Sequence, residues 1–486
     1  MKYISTRTKD SEKQTSAYVI KNGLAADGGL YVPEEIPSLS EEDINSLIKM
    51  TYPERAAYIL SLFLSDYSAE ELKDAAEKAY SKEKFGGPAA PISKVNEKYL
   101  LELWHGPTSA FKDMALQIMP RLLSLSLGKT GEEKEAYILV ATSGDTGKAA
   151  LEGYCDIDRV RIQVFYPVNG VSNIQKKQMA SQKGSNVEVV SINGNFDDAQ
   201  SGVKAIFADE GAKELLNKNG YFFSSANSIN WGRLAPQIVY YISAYCDLVS
   251  EGELKYGDLL DVTVPTGNFG NILAGYIAKK MGLPLGKLVC ASNRNDILTD
   301  FINTGVYDKR REFFTTVSPS MDILISSNLE RLLWFTVGAE KTKECMEKLA
   351  RDGVYKLDDE AMATIREDFA GFACDEDSTK QTINELFKEC GYLCDTHTAV
   401  AVNAAKQFEP MSSNKMLVVS TASPYKFAPA VLSALGEEVP ADDFDALDKL
   451  NAVTKVAVPK NLADLRNAPV RFNKVIEPKE MINSLL

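Results

Sequence analysis

Residues 137–147 read Y-I-L-V-A-T-S-G-D-T-G, an apolar run followed at once by small polar residues and glycines. The apolar run predicts a strand, and the polar residues predict the loop and the first turn of a helix. Further apolar runs, most of them followed by a helical pattern, lie at 99–104, 160–166, 187–192, 262–265, 288–291 and 416–419. Near-continuous apolar strands that alternate with helices are typical of a parallel sheet covered on both faces. The sequence therefore predicts an α/β fold with open, mainly parallel sheets covered by helices.

The spacing of these runs indicates two sheets. Three of these apolar runs lie between residues 137 and 223 and the other four lie outside that interval, which favours a small sheet inserted into a larger one. Helical patterns cover residues 58–64, 69–78, 110–125, 146–154, 172–182, 199–216, 231–249 and 271–281.

We expect the chain to have three parts. Residues 1–95 are predicted to form a charged, helical N-terminal region. Residues 96–130 and 230–486 are predicted to form a large domain, and residues 131–229 a small inserted α/β domain. Within the large domain the segment 305–395 is charged and mostly helical, and nothing local indicates its role.

The length and the charge exclude several function classes. A chain of 486 residues is several times longer than a typical domain of roughly 100–150 residues, so at least two cores with a cleft between them are expected. The 54 basic and 67 acidic residues give a formal net charge of −13, which argues against a broad surface for nucleic acid or anionic membrane. No apolar run approaches the roughly 18–20 residues of a membrane span, and the charged start of the chain is unlike a signal peptide. We therefore expect a cytoplasmic protein that acts on a small molecule.

Histidine and cysteine are too few or too scattered for several kinds of site. The seven cysteines are spread along the chain, Cys390 and Cys394 do not form C-x-x-C, and no second pair or histidine cluster accompanies them. With two histidines in the chain, neither a zinc site nor a hydrolytic triad is expected. Reduced thiols fit a cytoplasmic location.

The first cluster that could carry chemistry is W-H-G-P-T-S-A-F-K-D at residues 104–113. Thr108 or Ser109 can cap the next helix, and Lys112 lies in the first turn of that helix, off its apolar face. A lysine at a helix N-terminus is electrostatically unfavourable against the helix dipole. Lys112 is therefore either a solvated surface lysine or, if it faces a cleft, an amine with a lowered pKa suited to Schiff-base chemistry.

Three other clusters follow predicted strands, where ligands bind in open α/β sheets. T-S-G-D-T-G at 142–147 offers hydroxyls and free backbone N–H groups to a carboxylate. P-T-G-N-F-G-N at 265–271 resembles a phosphate cradle, but G-x-G-x-x-G and G-K-[ST] are absent, so nucleotide binding is not supported. A-N-S-I-N-W-G-R at 226–233 offers polar side chains and an arginine to a second phosphate. Taken alone, each cluster also fits a plain helix cap or a glycine turn.

Together and in this order, the clusters resemble the motifs of fold-type II pyridoxal-phosphate enzymes, the tryptophan synthase β-like family, and within it the threonine synthases. The resemblance runs from about residue 3 to about residue 435. Six motifs carry it: L-A-A-D-G-G-L-Y-V-P at 24–33, H-G-P-T-S-A-F-K-D at 105–113, T-S-G-D-T-G at 142–147, N-S-I-N-x-x-R at 227–233, G-N-F-G-N at 267–271 and S-T-A-S-P-Y-K-F at 420–427.

The resemblance implies a role for each cluster. Lys112 would be the catalytic residue and would bind pyridoxal 5′-phosphate covalently. The cofactor phosphate would be bound by Gly267, Asn268, Phe269, Gly270 and Asn271, and the pyridine nitrogen by Thr421. The substrate carboxylate and the cofactor's 3′-oxygen edge would be met by Thr142, Ser143, Asp145 and Thr146. The substrate phosphate would be bound by Asn227, Ser228 and Arg233, and Ser109 would be a further substrate contact. No metal is implied.

Two positions depart from the family pattern. Ser423 stands where many members have histidine, so a catalytic histidine at that position is excluded. Thr396 replaces the proline of the family's D-P-H-T-A, directly before His397, and we interpret His397 as structural.

The reaction that the resemblance implies is the conversion of O-phospho-L-homoserine and water into L-threonine and phosphate. It needs few acid–base side chains because the cofactor acts as the electron sink. The nearest alternative is a phospholyase that makes 2-oxobutyrate from the same substrate and needs the same pockets. A threonine or serine dehydratase is a further alternative, but it has no use for the second phosphate site. A non-catalytic protein with a decayed site is disfavoured because every motif residue is present. A monomer is favoured.

Overall fold

The computed structural model describes residues 1–9, 11–142 and 144–486. Numbered in chain order, its strands are β1 (Tyr3–Ser5), β2 (Tyr31–Pro33), β3 (Ile92–Val95), β4 (Lys98–Glu102), β5 (Glu135–Ala141), β6 (Val160–Pro167), β7 (Val187–Ile192), β8 (Tyr221–Ser224), β9 (Leu260–Pro265), β10 (Leu285–Ser292), β11 (Val306–Asp308), β12 (Val354–Lys356), β13 (Phe369–Ala373), β14 (Lys415–Ser420) and β15 (Val475–Ile476).

The α-helices are α1 (Ser16–Asn22), α2 (Glu41–Leu47), α3 (Tyr52–Phe63), α4 (Ala69–Ala79), α5 (Lys82–Phe85), α6 (Asp113–Leu116), α7 (Met119–Lys129), α8 (Asp145–Tyr154), α9 (Asn173–Ala180), α10 (Phe196–Ala208), α11 (Glu210–Lys218), α12 (Trp231–Ser250), α13 (Gly270–Lys280), α14 (Ile297–Thr304), α15 (Leu329–Asp352), α16 (Asp359–Asp368), α17 (Glu376–Cys390), α18 (Thr396–Phe408), α19 (Ala428–Ala434), α20 (Asp443–Thr454) and α21 (Lys460–Ala463). In the residues that the structure describes, none of these helices is both long and apolar enough to span a membrane.

The larger sheet has six strands in the order β13-β10-β9-β14-β4-β3. Neighbouring strands run parallel except at one edge, where β3 pairs antiparallel with β4. The three strands β9, β14 and β4 are almost wholly buried because helices cover both faces of the sheet. Val418 pairs with Leu100 on one side and with Thr263 on the other, so the carboxyl ends of these three strands lie side by side.

The smaller sheet is wholly parallel and has the order β15-β7-β6-β5-β8. Two sheets of this kind, covered by helices and preceded by a helical N-terminal region, confirm the predicted fold class. The edge strand β15 comes from the C-terminus, which the sequence places in the large domain. The domain boundaries at 95, 130 and 229 stay a proposal. Residues 475–476 are an exception to this division, because they belong to the predicted large domain but pair with a strand of the smaller sheet.

Two helices that the sequence predicts as continuous are each split. The predicted helix 110–125 becomes α6 and α7, because Pro120, near the start of α7, lacks the N–H that a continuous helix needs. The predicted helix 199–216 becomes α10 and α11, because Asp209 takes an extended backbone and its side chain accepts the N–H of Ala212.

Helix α12 joins the N-terminal region to the middle of the molecule, and nearly all of its residues are buried. Its first residue, Trp231, packs against Tyr3 and Phe63, with ring centroids 5.5 and 5.7 Å away. The preceding residue, Asn230, caps the helix and donates from Nδ2 to the carbonyl of Ile20 at 2.8 Å. The N-terminal region therefore fixes the loop that enters α12.

Candidate active site

The candidate site lies where the carboxyl ends of neighbouring strands meet, as in other open α/β sheets. In the larger sheet β4, β9 and β14 are neighbours, and the chain after them carries Lys112, residues 267–271 and Thr421, respectively. In the smaller sheet β5 and β8 are neighbours, and they are followed by residues 142–147 and 225–233. Strand order thus brings clusters from distant parts of the sequence to two adjacent edges.

Lys112 occupies the N-cap position of α6 and is 9% exposed. Its Nζ donates a hydrogen bond to Ser320 Oγ at 3.2 Å. Burial lowers the pKa of Lys112 to about 8; the Asp145 carboxylate opposes this effect, while the charges of Arg233 and Lys426 reinforce it. An amine of this kind is partly uncharged near neutral pH and can act as a nucleophile or a base. The structure therefore favours the cleft lysine over the surface lysine.

Asp145 begins α8 and lies in a cluster of buried polar groups. Its Oδ1 accepts from Lys426 Nζ at 2.5 Å and from Gln175 Nε2 at 2.8 Å. Burial alone would raise the pKa of Asp145, but the ammonium groups of Lys426 and Lys112 hold it well below its ordinary value. Lys426 Nζ also donates to the carbonyl of Thr108 at 3.0 Å. Asp145 is thus a fixed negative charge close to the Lys112 amine.

The loop 142–147 is stabilised by the side chain of Thr142. Its Oγ1 accepts from the N–H groups of Gly144 and Gly147, both at 3.0 Å, and donates to the carbonyl of Gly144 at 3.2 Å. The hydroxyl of Thr142 therefore shapes the loop, and its predicted substrate contact stays a prediction. Thr146 is partly buried in the first turn of α8. Ser143, also predicted as a substrate contact, lies outside the described residues.

The glycine loop, residues 267–271, runs from β9 into α13 and is held by residues of the segment 305–395. The carbonyl of Gly267 accepts from Ser326 Oγ at 2.7 Å, and the carbonyl of Asn268 accepts from the backbone and side-chain amides of Asn328 at 3.0 and 3.1 Å. Phe269, in the middle of this loop, has φ +64° and is the N-cap of α13. In these contacts the carbonyls of Gly267 and Asn268 are directed toward Ser326 and Asn328. The N–H groups at the start of α13 are therefore available to donate hydrogen bonds to a ligand.

Asn271 carries a buried polar group whose partner is missing among the described residues. Its Oδ1 accepts from the hydroxyls of Tyr240 and Tyr241, both at 2.6 Å, which fixes the orientation of the amide. Its Nδ2 is buried and has no hydrogen-bond partner in the part of the chain that the structure describes. A buried donor without an acceptor is costly, so this atom indicates a missing acceptor beside the glycine loop.

The loop 225–233 enters α12 and contains the predicted second phosphate site. Arg233 is 6% exposed and donates from Nη1 to the carbonyl of Ala226 at 2.8 Å. Burial lowers the pKa of Arg233 to about 10, so the guanidinium stays charged at neutral pH. None of the salt bridges among the described residues involves it. Asn227 is exposed at the loop, and Ser228 Oγ lies 3.5 Å from Ser327 Oγ.

Thr421 and Ser109 lie side by side next to Lys112. The carbonyl of Thr421 accepts from the N–H of Phe111 at 2.8 Å, and the carbonyl of Ser109 accepts from the N–H of Ser423 at 3.1 Å. Ser109 Oγ accepts from Asn461 Nδ2 at 2.9 Å, so its hydroxyl is held by α21. Thr421 is 5% exposed, and its N–H donates to Thr398 Oγ1 at 3.3 Å.

His397 lies in a buried chain of hydrogen bonds that ends at the lysine. Its Nδ1 is 2.7 Å from Asp395 Oδ2, and its Nε2 accepts from the N–H of Ser320 at 3.1 Å. Because a backbone N–H can only donate, Nε2 must be unprotonated and Nδ1 must carry the proton toward Asp395. This placement agrees with a structural role for His397.

Sequence reasoning missed Lys426, Gln175, Asn461 and Ser320. Lys426 stands in the motif S-T-A-S-P-Y-K-F together with Thr421, and this shared motif is the signal that could have placed it near the site. Gln175, Asn461 and Ser320 reach the site from helix α9, helix α21 and the segment 305–395, and no local pattern marks them.

Three family models match the chain. "Threonine synthase N terminus" matches residues 2–80, "Pyridoxal-phosphate dependent enzyme" matches residues 90–422, and "Threonine synthase, C-terminal" matches residues 398–485. The middle model alone covers more than half of the chain.

Individual relatives agree with the family models. The chain is 41% identical over 453 residues to human threonine synthase-like 1, covering 89% of this chain and 60% of that protein. It is 40% identical over 448 residues to threonine synthase of Pseudomonas aeruginosa, covering 91% of this chain and 92% of that protein. The crystal structure of PLP-bound threonine synthase from Brucella melitensis superposes with a TM-score of 0.89 at 36% identity and covers 99% of this chain and 98% of that one.

Proposed function

Because the chain belongs to the threonine synthase family of pyridoxal-phosphate-dependent enzymes, we propose that it converts O-phospho-L-homoserine and water into L-threonine and phosphate. Pyridoxal phosphate is the proposed cofactor, and the enzyme is a carbon–oxygen lyase. The observation that carries this proposal is a buried lysine amine that lies close to both a fixed carboxylate and an arginine without a carboxylate partner among the described residues.

The residues around Lys112 fit pyridoxal phosphate. The N–H groups at the start of α13 and the unpartnered Nδ2 of Asn271 suit a phosphate, which supplies several acceptor oxygens. The Lys112 amine, with its lowered pKa, suits the aldehyde. Thr421 offers a neutral hydroxyl to the ring nitrogen. Asp145 lies near the lysine, where it would face the edge of the cofactor that carries the 3′-oxygen.

When bound, pyridoxal phosphate supplies an electron sink for charge that develops at substrate carbons. The protein's own part is to hold protons and to orient the substrate. The Lys112 amine, which is buried and partly uncharged near neutral pH, would remove the proton from Cα. It has to pass that proton on before its lone pair can remove a second proton, from Cβ. Asp145 balances the positive charge that Lys112 gains each time, and Lys426 keeps Asp145 ionised.

Substrate specificity is assigned to the loop 225–233 and the loop 142–147. Arg233, together with Asn227 and Ser228, binds the substrate phosphate; its charge is retained at neutral pH and has no carboxylate to neutralise it among the described residues. Thr142, Thr146 and Ser109 are proposed contacts of the amino acid end. Ser143, which lies outside the described residues, is kept as a proposed contact from the sequence alone.

A phospholyase that releases 2-oxobutyrate is the second candidate, because it needs the same lysine and both phosphate sites. The protein is further proposed to be cytoplasmic, to bind neither nucleic acid nor membrane, and to act as a monomer, in keeping with its net charge of −13.

The test is to incubate the protein, loaded with pyridoxal phosphate, with O-phospho-L-homoserine and to measure threonine, 2-oxobutyrate and phosphate. Equal amounts of threonine and phosphate are expected, with no 2-oxobutyrate. Phosphate with 2-oxobutyrate would establish the phospholyase instead, and 2-oxobutyrate from L-threonine alone would establish a dehydratase.

A matched pair of variants separates the role of Lys112 from that of any buried lysine. Lys112→Met is expected to lower turnover at least about 10³-fold, since it removes the proposed base. Lys148→Met is the control: Lys148 is also 9% exposed, but its Nζ donates to Glu152 at 2.9 Å, and we expect wild-type turnover.

A further inference from the structure

The segment 316–322 lies against the lysine, although the sequence gives no hint of its role. It contains a short 3-10 helix, Pro319–Met321. Ser320 Oγ accepts the hydrogen bond from Lys112 Nζ at 3.2 Å, and this is the only hydrogen bond of that amine to a described residue. The hydroxyl of Ser320 is therefore the one group among the described residues that receives a hydrogen bond from the amine.

The backbone of Ser320 is held from the side of α18. Its N–H donates to His397 Nε2 at 3.1 Å, and His397 Nδ1 donates in turn to Asp395 Oδ2 at 2.7 Å. Asp395 and His397 are 0% and 2% exposed. A neutral imidazole that is oriented by a buried carboxylate presents a fixed acceptor to Ser320.

The same segment is also held from the side of β10. The carboxylate of Asp322 accepts from Asn293 Nδ2 at 2.8 Å and from Asn295 Nδ2 at 3.0 Å. The carbonyl of Ser320 packs on the glycine loop so closely that a Cβ at Gly267 would lie 2.6 Å from it. The backbone of Ser320 is therefore held close to the proposed phosphate site, while the side chain that carries the hydroxyl is exposed.

We propose that Ser320 is a positioning residue that holds the uncharged amine of Lys112 toward its reacting partner. This inference rests on the proposed function. An uncharged amine has two N–H groups and one lone pair; when one N–H is given to a hydroxyl, the direction of the lone pair is restricted. A hydroxyl carries no charge, so it orients the amine without favouring the ammonium form, as a carboxylate in its place would. His397, oriented by Asp395, reaches the lysine through the backbone N–H of Ser320.

The decisive variant is Ser320→Ala, compared with Ser320→Thr and with Ser318→Ala. Threonine keeps a hydroxyl at the same place. Ser318, in the same segment, is 0% exposed and accepts from Asn293 Nδ2 at 3.0 Å, whereas Ser320 is exposed; Ser318→Ala therefore removes a hydroxyl of this segment that does not contact Lys112.

The first readout needs no substrate: it is the rate at which the cofactor-free protein captures pyridoxal phosphate on Lys112, followed by the absorbance of the lysine-bound cofactor. Ser320→Ala is expected to slow capture about three- to tenfold, the size of the effect of one hydrogen bond. Ser320→Thr is expected to restore most of the rate, and Ser318→Ala to leave it unchanged. In turnover, Ser320→Ala is expected to lower kcat by a similar factor and to leave KM within about twofold.

Capture of the cofactor at the wild-type rate by Ser320→Ala would overturn the proposal. An equally slow capture by Ser318→Ala would also overturn it, because the loss of any hydroxyl from the segment would then have the same effect. A wild-type protein that captures the cofactor but makes no threonine refutes the proposed function alone, because the capture rates still decide the role of Ser320. A wild-type protein that captures no cofactor refutes both.

Discussion

Two buried lysines lie near the carboxylate of Asp145, and they differ in the group that receives their hydrogen bond. Lys426 is 2% exposed and forms an ion pair with Asp145 at 2.5 Å. Lys112 is 9% exposed and donates to the hydroxyl of Ser320 at 3.2 Å. A carboxylate at hydrogen-bond distance offsets the cost of burying an ammonium group, whereas a hydroxyl does not.

This difference separates a structural lysine from a reactive one at the same site. Lys426 keeps Asp145 ionised, because its positive charge is the largest of the effects that lower the pKa of that carboxylate against the effect of burial. Lys112 has no such partner at contact distance among the described residues, and burial takes its pKa to about 8. Burial alone therefore does not make a lysine reactive; burial without a paired carboxylate does.

The largest effect is expected from Lys426→Met. The change removes the ion-pair partner of Asp145 and leaves its carboxylate buried, which is expected to lower the free energy of unfolding by about 3–5 kcal/mol. Because Lys426 also lowers the pKa of Lys112, the pKa of Lys112 is expected to rise in this variant. Urea unfolding of the cofactor-free protein measures the first effect.

The double variant Lys426→Met/Asp145→Asn is the control for that experiment. Removing both charges no longer leaves one of them unpaired, so its loss of stability is expected to be smaller than that of Lys426→Met alone. A single variant that loses less than about 1 kcal/mol would show that the ion pair does not compensate the burial of Asp145.

A smaller effect is expected in the pH dependence of stability. The pKa of Lys112 is about 8 in the folded protein and 10.5 ordinarily, so between these values the unfolded chain binds a proton that the folded chain does not. The free energy of unfolding of the cofactor-free protein should therefore rise with pH in this window, by about 3 kcal/mol relative to Lys112→Met, and the difference should be constant below pH 8. Denaturant titrations of the two proteins from pH 7 to 10.5 measure it; parallel stability curves would contradict the lowered pKa.

Much of the fold was predictable because its signals are local. Strand β7 has the predicted bounds, 187–192, since an apolar run between polar loops is specific for a buried strand. The breaks at Asp209 and Pro120 were missed because helical periodicity continues across them, although a capping residue and a proline each gave a local warning. The pairing of β15 with β7 could not be predicted, because a strand of two residues carries no period.

The site was predictable where a motif follows a strand and not where it depends on long-range contacts. Lys112 and Asp145 stand in motifs and lie close enough in the structure for each charge to shift the pKa of the other. Ser320 contributes one hydroxyl from a segment 208 residues further along the chain, and only packing brings it to Lys112. Neither its residue type nor its neighbours distinguish it from the other serines of the chain.

The smallest effect is expected from Arg233→Lys, which adds a third buried cation to the comparison. Like Lys112, Arg233 has no carboxylate partner among the described residues, but its pKa stays at about 10, so it keeps its charge where Lys112 loses it. A lysine in the same buried place would lose part of its charge near neutral pH, as Lys112 does. It would also lack the bidentate hydrogen bonds that a guanidinium donates to a phosphate. We expect KM for O-phospho-L-homoserine to rise about tenfold at pH 7, equivalent to about 1.4 kcal/mol, and further toward pH 9, with kcat little changed.

The pH dependence of KM is the control. The substrate phosphate has a second pKa of about 6 and stays doubly charged over this range. A KM that rises with pH more in the variant than in the wild type therefore reports the titration of residue 233. If the KM of the variant equals that of the wild type at every pH, the substrate phosphate does not bind at Arg233. Among the described residues, Lys112 would then be the one cation without a carboxylate partner that takes part in the reaction.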